Sequence, residues 1–467
     1  MGLLIKGGEI ITADSRYCSD IYIEDETITS IGRGLYAPFG TEVIDATGKL
    51  VFPGFIDPHV HIHLPFMATF AKDTHGTASQ AALIGGTTTF IEMVCPSRHE
   101  DALAGYNDWK QRAEGNSACD YAFHMAVTRF DAETEAQLRE IVADGTASFK
   151  VFLAYKNFFG VTEEELFHTL KLAAELGVIT TAHCENAELV AQLQQQLLAE
   201  GKTGPEWHEP SRPEAVEAEG TARFATFLER TGAAGYVVHL SCAPALHAAI
   251  EAKLRGVKIY VESVLPHFML DKSYAERTGV EGMKHVMSPP LRGKRNLRAL
   301  WNALEAGLID TVGTDHCPFD TEQKLMGAGD FTQIPNGIPG IEDRVNLMYT
   351  YGVNRGMLSI HRFVEALSTK PAKLFGLFPR KGAIAVGSDA DLVIYDPNYR
   401  GTITAAAQHT NNDYNGFEGF DVEGRASVVT VRGKVQVRDG AFVGEPGCGR
   451  MIRRVPQYGS SLSGAKI

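Results

Sequence analysis

The chain has 467 residues, more than one ordinary domain needs and about right for one large barrel with a smaller companion. At 44% apolar and 22% charged it reads as a soluble globular protein, and a net charge of −13 with no basic run argues against a nucleic-acid partner. No apolar run reaches the roughly 18 residues that would span a bilayer, and the N-terminus MGLLIKGGEIITADS lacks the apolar core and cleavage-like site of a secretory signal. The seven cysteines (Cys18, Cys95, Cys119, Cys184, Cys242, Cys317 and Cys448) form no CxxC pair. Such a dispersed set fits a reducing compartment, so the cytoplasm is the expected location.

In chain order, residues 1–53 come in short alternating pieces, LLIKGGEIIT, DIYIEDETITSIG and EVIDATGKLVFPG, punctuated by turn residues. Period-2 alternation of this kind marks half-buried strands. The same texture returns over 376–445, in AIAVGSDADLVIYDP and ASVVTVRGKVQVRDGAFVG. Both ends together are expected to build one small β-sandwich. Residues 54–375 have another rhythm. Eight short apolar or β-branched runs, GFIDPHVH, TTTFIEMV, YAFHMAV, ASFKVFLAY, GVITTAHC, GYVVHLS, KIYVESV and DTVGTDH, alternate with helix-like stretches such as TEEELFHTLKLAAELG and PALHAAIEAKLRG. Eight βα units predict an α/β fold, a (β/α)8 TIM-like barrel, with a doubly wound open sheet or two α/β domains as alternatives. Residues 446–467 read as a tail whose Ser/Gly-rich end is disordered. No phosphate-binding glycine motif occurs.

A barrel of this type carries its chemistry at the C-terminal ends of its strands. There the sequence places His59 and His61 on run one, Lys150 on run four, His183 on run five, His239 on run six and Asp315 on run eight. Side chains two apart on a strand point the same way, so His59 and His61 can face one ion. His183 and His239, from neighbouring runs, can hold a second. Asp315 adds an oxygen ligand and a proton acceptor. Mixed imidazole and carboxylate ligands suit zinc, and also manganese or cobalt. One histidine among sixteen is ordinarily structural, and His63 and His316 are read that way. Lys150 sits in the apolar run FKVFLAY, where an ammonium is costly unless paired or modified. It is either paired with a carboxylate or carboxylated to a carbamate that bridges two cations.

With these motifs the chain resembles the dihydropyrimidinase/hydantoinase branch of the amidohydrolase superfamily. The resemblance runs over nearly the whole length, through PGFIDPHVHI, GGTTTFIEMV, FKVFLAYKN, AHCEN, VVHLS, SPPLR, GTDHCPF, PNGIPGIEDR, GSDADLVIYDP and DYNGFEG. It implies two divalent ions, one on His59, His61 and Asp315 and one on His183 and His239, bridged by a carboxylated Lys150 and by a hydroxide that opens a cyclic amide. Asp315 would relay the proton to the leaving nitrogen, Tyr155 would stabilise the oxyanion, and backbone groups at Ser288 and Asn336 would recognise the ring amide. Leu64, Phe152 and Phe159 (with Phe158 in competition for the same role) resemble apolar gate residues around the ring substituent. The product would be an N-carbamoyl amino acid, and the assembly a homotetramer in which DYNGFEG and the tail reach a neighbour.

Dihydroorotases and allantoinases share the metal set. Many dihydroorotases follow the HxH with an arginine for a substrate carboxylate; here His61 is followed by Ile62, His63, Leu64, Pro65 and Phe66, which favours a neutral ring. The collapsin response mediator proteins resemble the same branch as non-enzymatic assembly proteins, but they lack most of the metal-binding residues, and here all six are present.

Overall fold

The computed structural model describes residues 2–156 and 158–459. The tail residues 460–467, expected to be disordered, lie outside them. The eight apolar runs form eight parallel strands: β1 (Phe55–Val60), β2 (Thr87–Val94), β3 (Asp120–Ala126), β4 (Ser148–Phe152), β5 (Ile179–His183), β6 (Ala234–Val237), β7 (Ile259–Val264) and β8 (Thr311–Gly313). They pair in sequence order in a single sheet. Nearly every strand residue is buried. A strand covered by helices on one side and by barrel filling on the other has no face that tolerates polar alternation, which is why these runs read as continuously apolar.

The barrel closes between β8 and β1 through main chain at and just beyond the strand ends. The Asp315 N–H donates to the His59 carbonyl at 3.0 Å, and the His61 N–H to the His316 carbonyl at 2.8 Å. β6 and β8 are shorter than their apolar runs. Both His239 and Asp315 stand two residues past their strand with left-handed backbone (φ 40° and 53°), a conformation that ends the ladder.

Amphipathic helices follow the strands. The stretch TEEELFHTLKLAAELG forms the helix Glu163–Leu176, started by a reciprocal Thr162–Glu165 capping box and stopped by Gly177 at φ 69°. The cap satisfies two orphan N–H groups, and glycine takes the left-handed C-terminal position without strain.

The two chain ends share one nine-stranded, largely antiparallel sheet, with Leu392–Thr402 from the C-terminal part paired to Leu50–Pro53 from the N-terminal part. Its first strand, Leu3–Ile11, forks the sheet by pairing with three neighbours. The sheet wraps a separate aliphatic core that includes Ile5, Ile21, Ile23, Val51, Leu392 and Val428. The expected sandwich therefore takes the form of one forked sheet. The described part of the tail lies along this chain's own barrel: Tyr121 N donates to Arg450 O, Arg454 N to Gly145 O and Tyr458 N to Gly177 O. It covers the N-terminal openings of β3, β4 and β5.

Arg344 ties the barrel seam from inside. Fully buried, it donates to the carbonyls of Ile56 on β1 (2.9 Å) and Val312 on β8 (2.7 Å) and to Thr87 Oγ1 on β2 (3.1 Å). Removing it strands two buried carbonyls and leaves Asp57, 3.9 Å away, without its cation. Arg344→Met is expected to lower unfolding stability by roughly 3 kcal/mol. Urea unfolding checks this, and an unchanged midpoint would show that the seam does not need the guanidinium.

Candidate metal centre and substrate cleft

At the C-terminal mouth of the barrel the main-chain seam brings three ligand groups to one point. Nε2 of His59 and Nε2 of His61 each lie 3.1 Å from Asp315 Oδ1. The His59 Nδ1–H donates to Glu262 Oε1 on β7 at 2.8 Å, which leaves Nε2 as the bare nitrogen of that ring. Glu262 also accepts from the Tyr236 hydroxyl (2.7 Å) and the His239 N–H (3.0 Å), so one carboxylate orients two of the histidines.

A second pair stands beside the first. His183 Nδ1 and His239 Nε2 face each other at 2.9 Å. The other His183 nitrogen, Nε2, donates to Glu185 Oε2 at 2.6 Å, and Glu185 is held in turn by Arg212 at 2.6 Å. Burial, together with the Arg212 and His183 charges that outweigh it, leaves the Glu185 carboxyl at about 2. Burial pushes the His61 imidazole down to about 4 and that of His239 well below its usual range. Neutral imidazoles are the form that binds metal. Burial would raise the Asp315 carboxyl, but the neighbouring His59 and His61 overcome it and hold the pKa at about 2.

Lys150 on β4 is fully buried, and its Nζ has no hydrogen-bond partner; it lies 4.8 Å above the Phe152 ring. Burial pushes the ammonium down to about 8. The carboxylate pairing considered for it is not made. His59 Nε2, His61 Nδ1 and His239 Nδ1 are likewise buried without hydrogen-bond partners. The convergence of His59 Nε2 and His61 Nε2 on one Asp315 oxygen, beside the facing His183 and His239 nitrogens and an unpartnered buried amine, fits divalent cations, because a cation supplies the bonds the protein withholds.

A narrow cleft of about 40 Å³ opens onto this centre. His61, Lys150, His183, His239 and Asp315 form its floor, Tyr155, Ser288 and Asn336 one side, and Leu64, Phe66, Phe152 and Phe159 the wall. Tyr155 has left-handed backbone (φ 56°), and its carbonyl accepts from the N–H groups of Phe158, Phe159 and Gly160, a tight turn that holds the phenol over the floor. Burial raises that phenol to about 12, so it stays protonated and can donate. Asn336 Nδ2 donates to Ser288 Oγ at 3.0 Å, and Ser288 Oγ lies 3.3 Å from His208 Nε2.

The structure thus brings together every residue singled out from the sequence as a ligand, acid–base group or wall. Of the two adjacent phenylalanines, Phe159 is buried on the cleft wall, stacked on Phe152, while Phe158 lies on the neighbouring outer hollow. His63 turns away through a left-handed backbone and packs on Phe70. His316 bonds Asp73 at 2.8 Å and accepts from Gly340 N–H, a structural role. Glu262, Glu185, Arg212 and Phe66 were not singled out. For Glu262 a signal existed: an ionisable side chain inside the apolar run KIYVESV, the same feature that marked Lys150.

Two predictions follow from this geometry. Glu262→Gln keeps the shape but weakens the acceptor that orients His59 and His239, and is expected to lower metal affinity by about tenfold to a hundredfold. Metal titration followed by isothermal calorimetry reads this, and wild-type affinity would refute it. Separately, burial holds the folded pKa of His208 at about 3 and of His267 at about 4. Below the unfolded value near 6.5 the unfolded chain binds protons the folded chain refuses. Stability should therefore fall between pH 6.5 and 4, read as a lower urea midpoint at pH 5 than at pH 7.5; a higher midpoint at pH 5 would contradict the burial of these rings.

Residues 50–435 match the amidohydrolase family. The chain is 43% identical over 465 residues to a D-hydantoinase of Geobacillus stearothermophilus, covering 99% of this chain and 98% of that one. It is 39% identical to a dihydropyrimidinase of Dictyostelium discoideum, covering 99% and 92%. Among solved structures, a D-hydantoinase (dihydropyrimidinase) from Thermus sp. superposes with a TM-score of 0.97 at 76% identity, covering 98% of this chain and 100% of the other.

Proposed function

The chain belongs to the amidohydrolase family, in its dihydropyrimidinase/hydantoinase branch, and is a cyclic amidohydrolase; on that premise we propose that it opens the ring amide of a neutral cyclic ureide, a 5,6-dihydropyrimidine or a 5-substituted hydantoin, to an N-carbamoyl amino acid. The observation that carries this reading is the cleft itself. Its floor gathers ligand nitrogens and one carboxylate, its wall is apolar, and among the described residues no arginine lines it to receive a substrate carboxylate. That lining suits an uncharged ring better than dihydroorotate.

His59, His61 and Asp315 would hold one divalent ion, and His183 and His239 a second, with Lys150 between them. Lys150 suits the bridging role because its amine is buried, unpartnered and low in pKa. Addition of its nitrogen lone pair to carbon dioxide, with loss of one proton, would make an N6-carboxylysine, an anionic oxygen donor for such ions. When bound, such ions lower the pKa of water toward neutrality and polarise the substrate carbonyl.

The chain's own groups do the rest. Tyr155 donates to the carbonyl oxygen as negative charge builds on it, an effect worth roughly 3 kcal/mol in comparable sites. Asp315, ionised in the resting site, accepts the proton of the attacking water and passes it to the ring nitrogen as the C–N bond breaks. Ser288 and Asn336 hold the ring amide, and Leu64, Phe152 and Phe159 face the ring substituent. Zinc is the default ion, with manganese or cobalt fitting the same donors. A cytoplasmic homotetramer completes the reading, by resemblance to the family.

Rates on dihydrouracil, hydantoin and 5-aryl hydantoins with metal-replete enzyme test the substrate class. A dominant rate on dihydroorotate or allantoin would refute it. Lys150→Ala is expected to abolish hydrolysis and to bind one equivalent of metal fewer by elemental analysis; full activity in that variant would remove the bridging role.

A further inference from the structure

Beside the cleft, a lysine occupies an unusual position. Lys324, near the C-terminal end of the short helix Thr321–Leu325, is fully buried. Its Nζ donates to three main-chain carbonyls: Val286 at 3.0 Å, Pro335 at 2.6 Å and Gly337 at 2.8 Å. All three ammonium donors are thus used on backbone, and among the described residues no carboxylate pairs with it.

The three acceptors have something in common. Pro335 and Gly337 flank Asn336, and Val286 stands two residues before Ser288. The Gly337 N–H also donates to the Val286 carbonyl at 2.9 Å, and Asn336 Nδ2 bonds Ser288 Oγ at 3.0 Å. Behind the loop, a Cβ on Gly337 would collide with the Cys317 carbonyl, so the loop has no room to retreat toward the end of β8. Its position is therefore set from the front by whatever draws the two loops together. A buried ammonium without a counter-ion is expensive to keep, and burial pushes Lys324 down to about 7. Apolar packing alone would be served as well by methionine, which would need none of these bonds.

We infer that Lys324 is a positioning residue for substrate recognition, its ammonium clamping the Val286–Ser288 and Pro335–Gly337 loops at the spacing that lets Ser288 and Asn336 grip the ring amide. This rests on the proposed recognition role of those two residues. Lys324 touches no substrate, and its effect passes through backbone geometry. Misplacement of recognition groups by a fraction of an ångström weakens binding and orientation while the metal floor and Asp315 stay in place.

The test is a double-mutant cycle on hydantoin hydrolysis by the metal-replete full-length enzyme, using Lys324→Met, Asn336→Ala and the double variant. Metal content and thermal midpoint are measured alongside. Lys324→Met is expected to raise KM about tenfold with kcat within about threefold and wild-type metal content. The double variant should raise KM by clearly less than the product of the single effects, since both changes loosen the same loop pair. If Lys324→Met does not fold, Lys324→Gln, which keeps two donors on a shorter stem, should show a smaller rise of the same kind. An unchanged KM in a folded Lys324 variant, or single effects that simply multiply, overturns the inference while leaving the recognition reading standing. A raised KM in Lys324→Met with none in Asn336→Ala, which loses only the side-chain tie to Ser288 Oγ, shows that the two loops do not act as a pair and overturns this route of action while leaving recognition by their backbone groups standing.

Discussion

The closing seam of the barrel is the constraint on which the rest depends. The sheet becomes a barrel because Asp315 N–H reaches the His59 carbonyl and His61 N–H reaches the His316 carbonyl. Those two bonds join residues more than 250 positions apart in the chain. They also place the side chains of His59, His61 and Asp315 on one point, with both imidazole nitrogens 3.1 Å from the same carboxylate oxygen. Structure and chemistry use the same atoms here. Arg344 braces the seam from below, and Glu262 reaches in from β7 to fix the tautomer of His59.

The centre so formed is costly by the ordinary rules of protein interiors. Lys150 Nζ, His59 Nε2 and His239 Nδ1 are buried without partners, each at a penalty of roughly 1–3 kcal/mol. Tyr155, His239 and Asp315 hold left-handed backbone, which adds roughly 1–3 kcal/mol apiece. A stable fold accepts such concentrations of unmet demand where a ligand will meet it. Around the centre, by contrast, buried charged and polar groups have partners: Glu185 Oε2 between His183 and Arg212, Lys324 on three carbonyls, His316 between Asp73 and the Gly340 N–H. These partnered groups keep the centre in place.

Much of the site was legible because its signals were local. Two histidines one residue apart at the end of an apolar run, and a lysine inside FKVFLAY, stand out against a background that sterics and burial make apolar. Glu262 carried an equal signal, but its meaning came from pairing with a histidine 203 residues away. Arg212 and Lys324 lie in loops and short helices with no periodicity, where polar residues are unremarkable until their burial is seen. Phe66 looked like any loop aromatic until the small hairpin Pro65–Phe66 and Thr69–Phe70 turned it onto the cleft.

The sequence by itself determined the eight strands of the barrel, the division into a barrel and a sheet from both ends, and which donor-bearing side chains stand at the strand ends, because strand burial and donor chemistry are properties of short segments. Only the tertiary structure decided which imidazole nitrogen is bare, that Lys150 has no carboxylate partner, that Phe159 and not Phe158 walls the cleft, and that the described tail covers its own barrel. Each of these is a relation between distant segments, set by the direction a side chain takes once the barrel has closed.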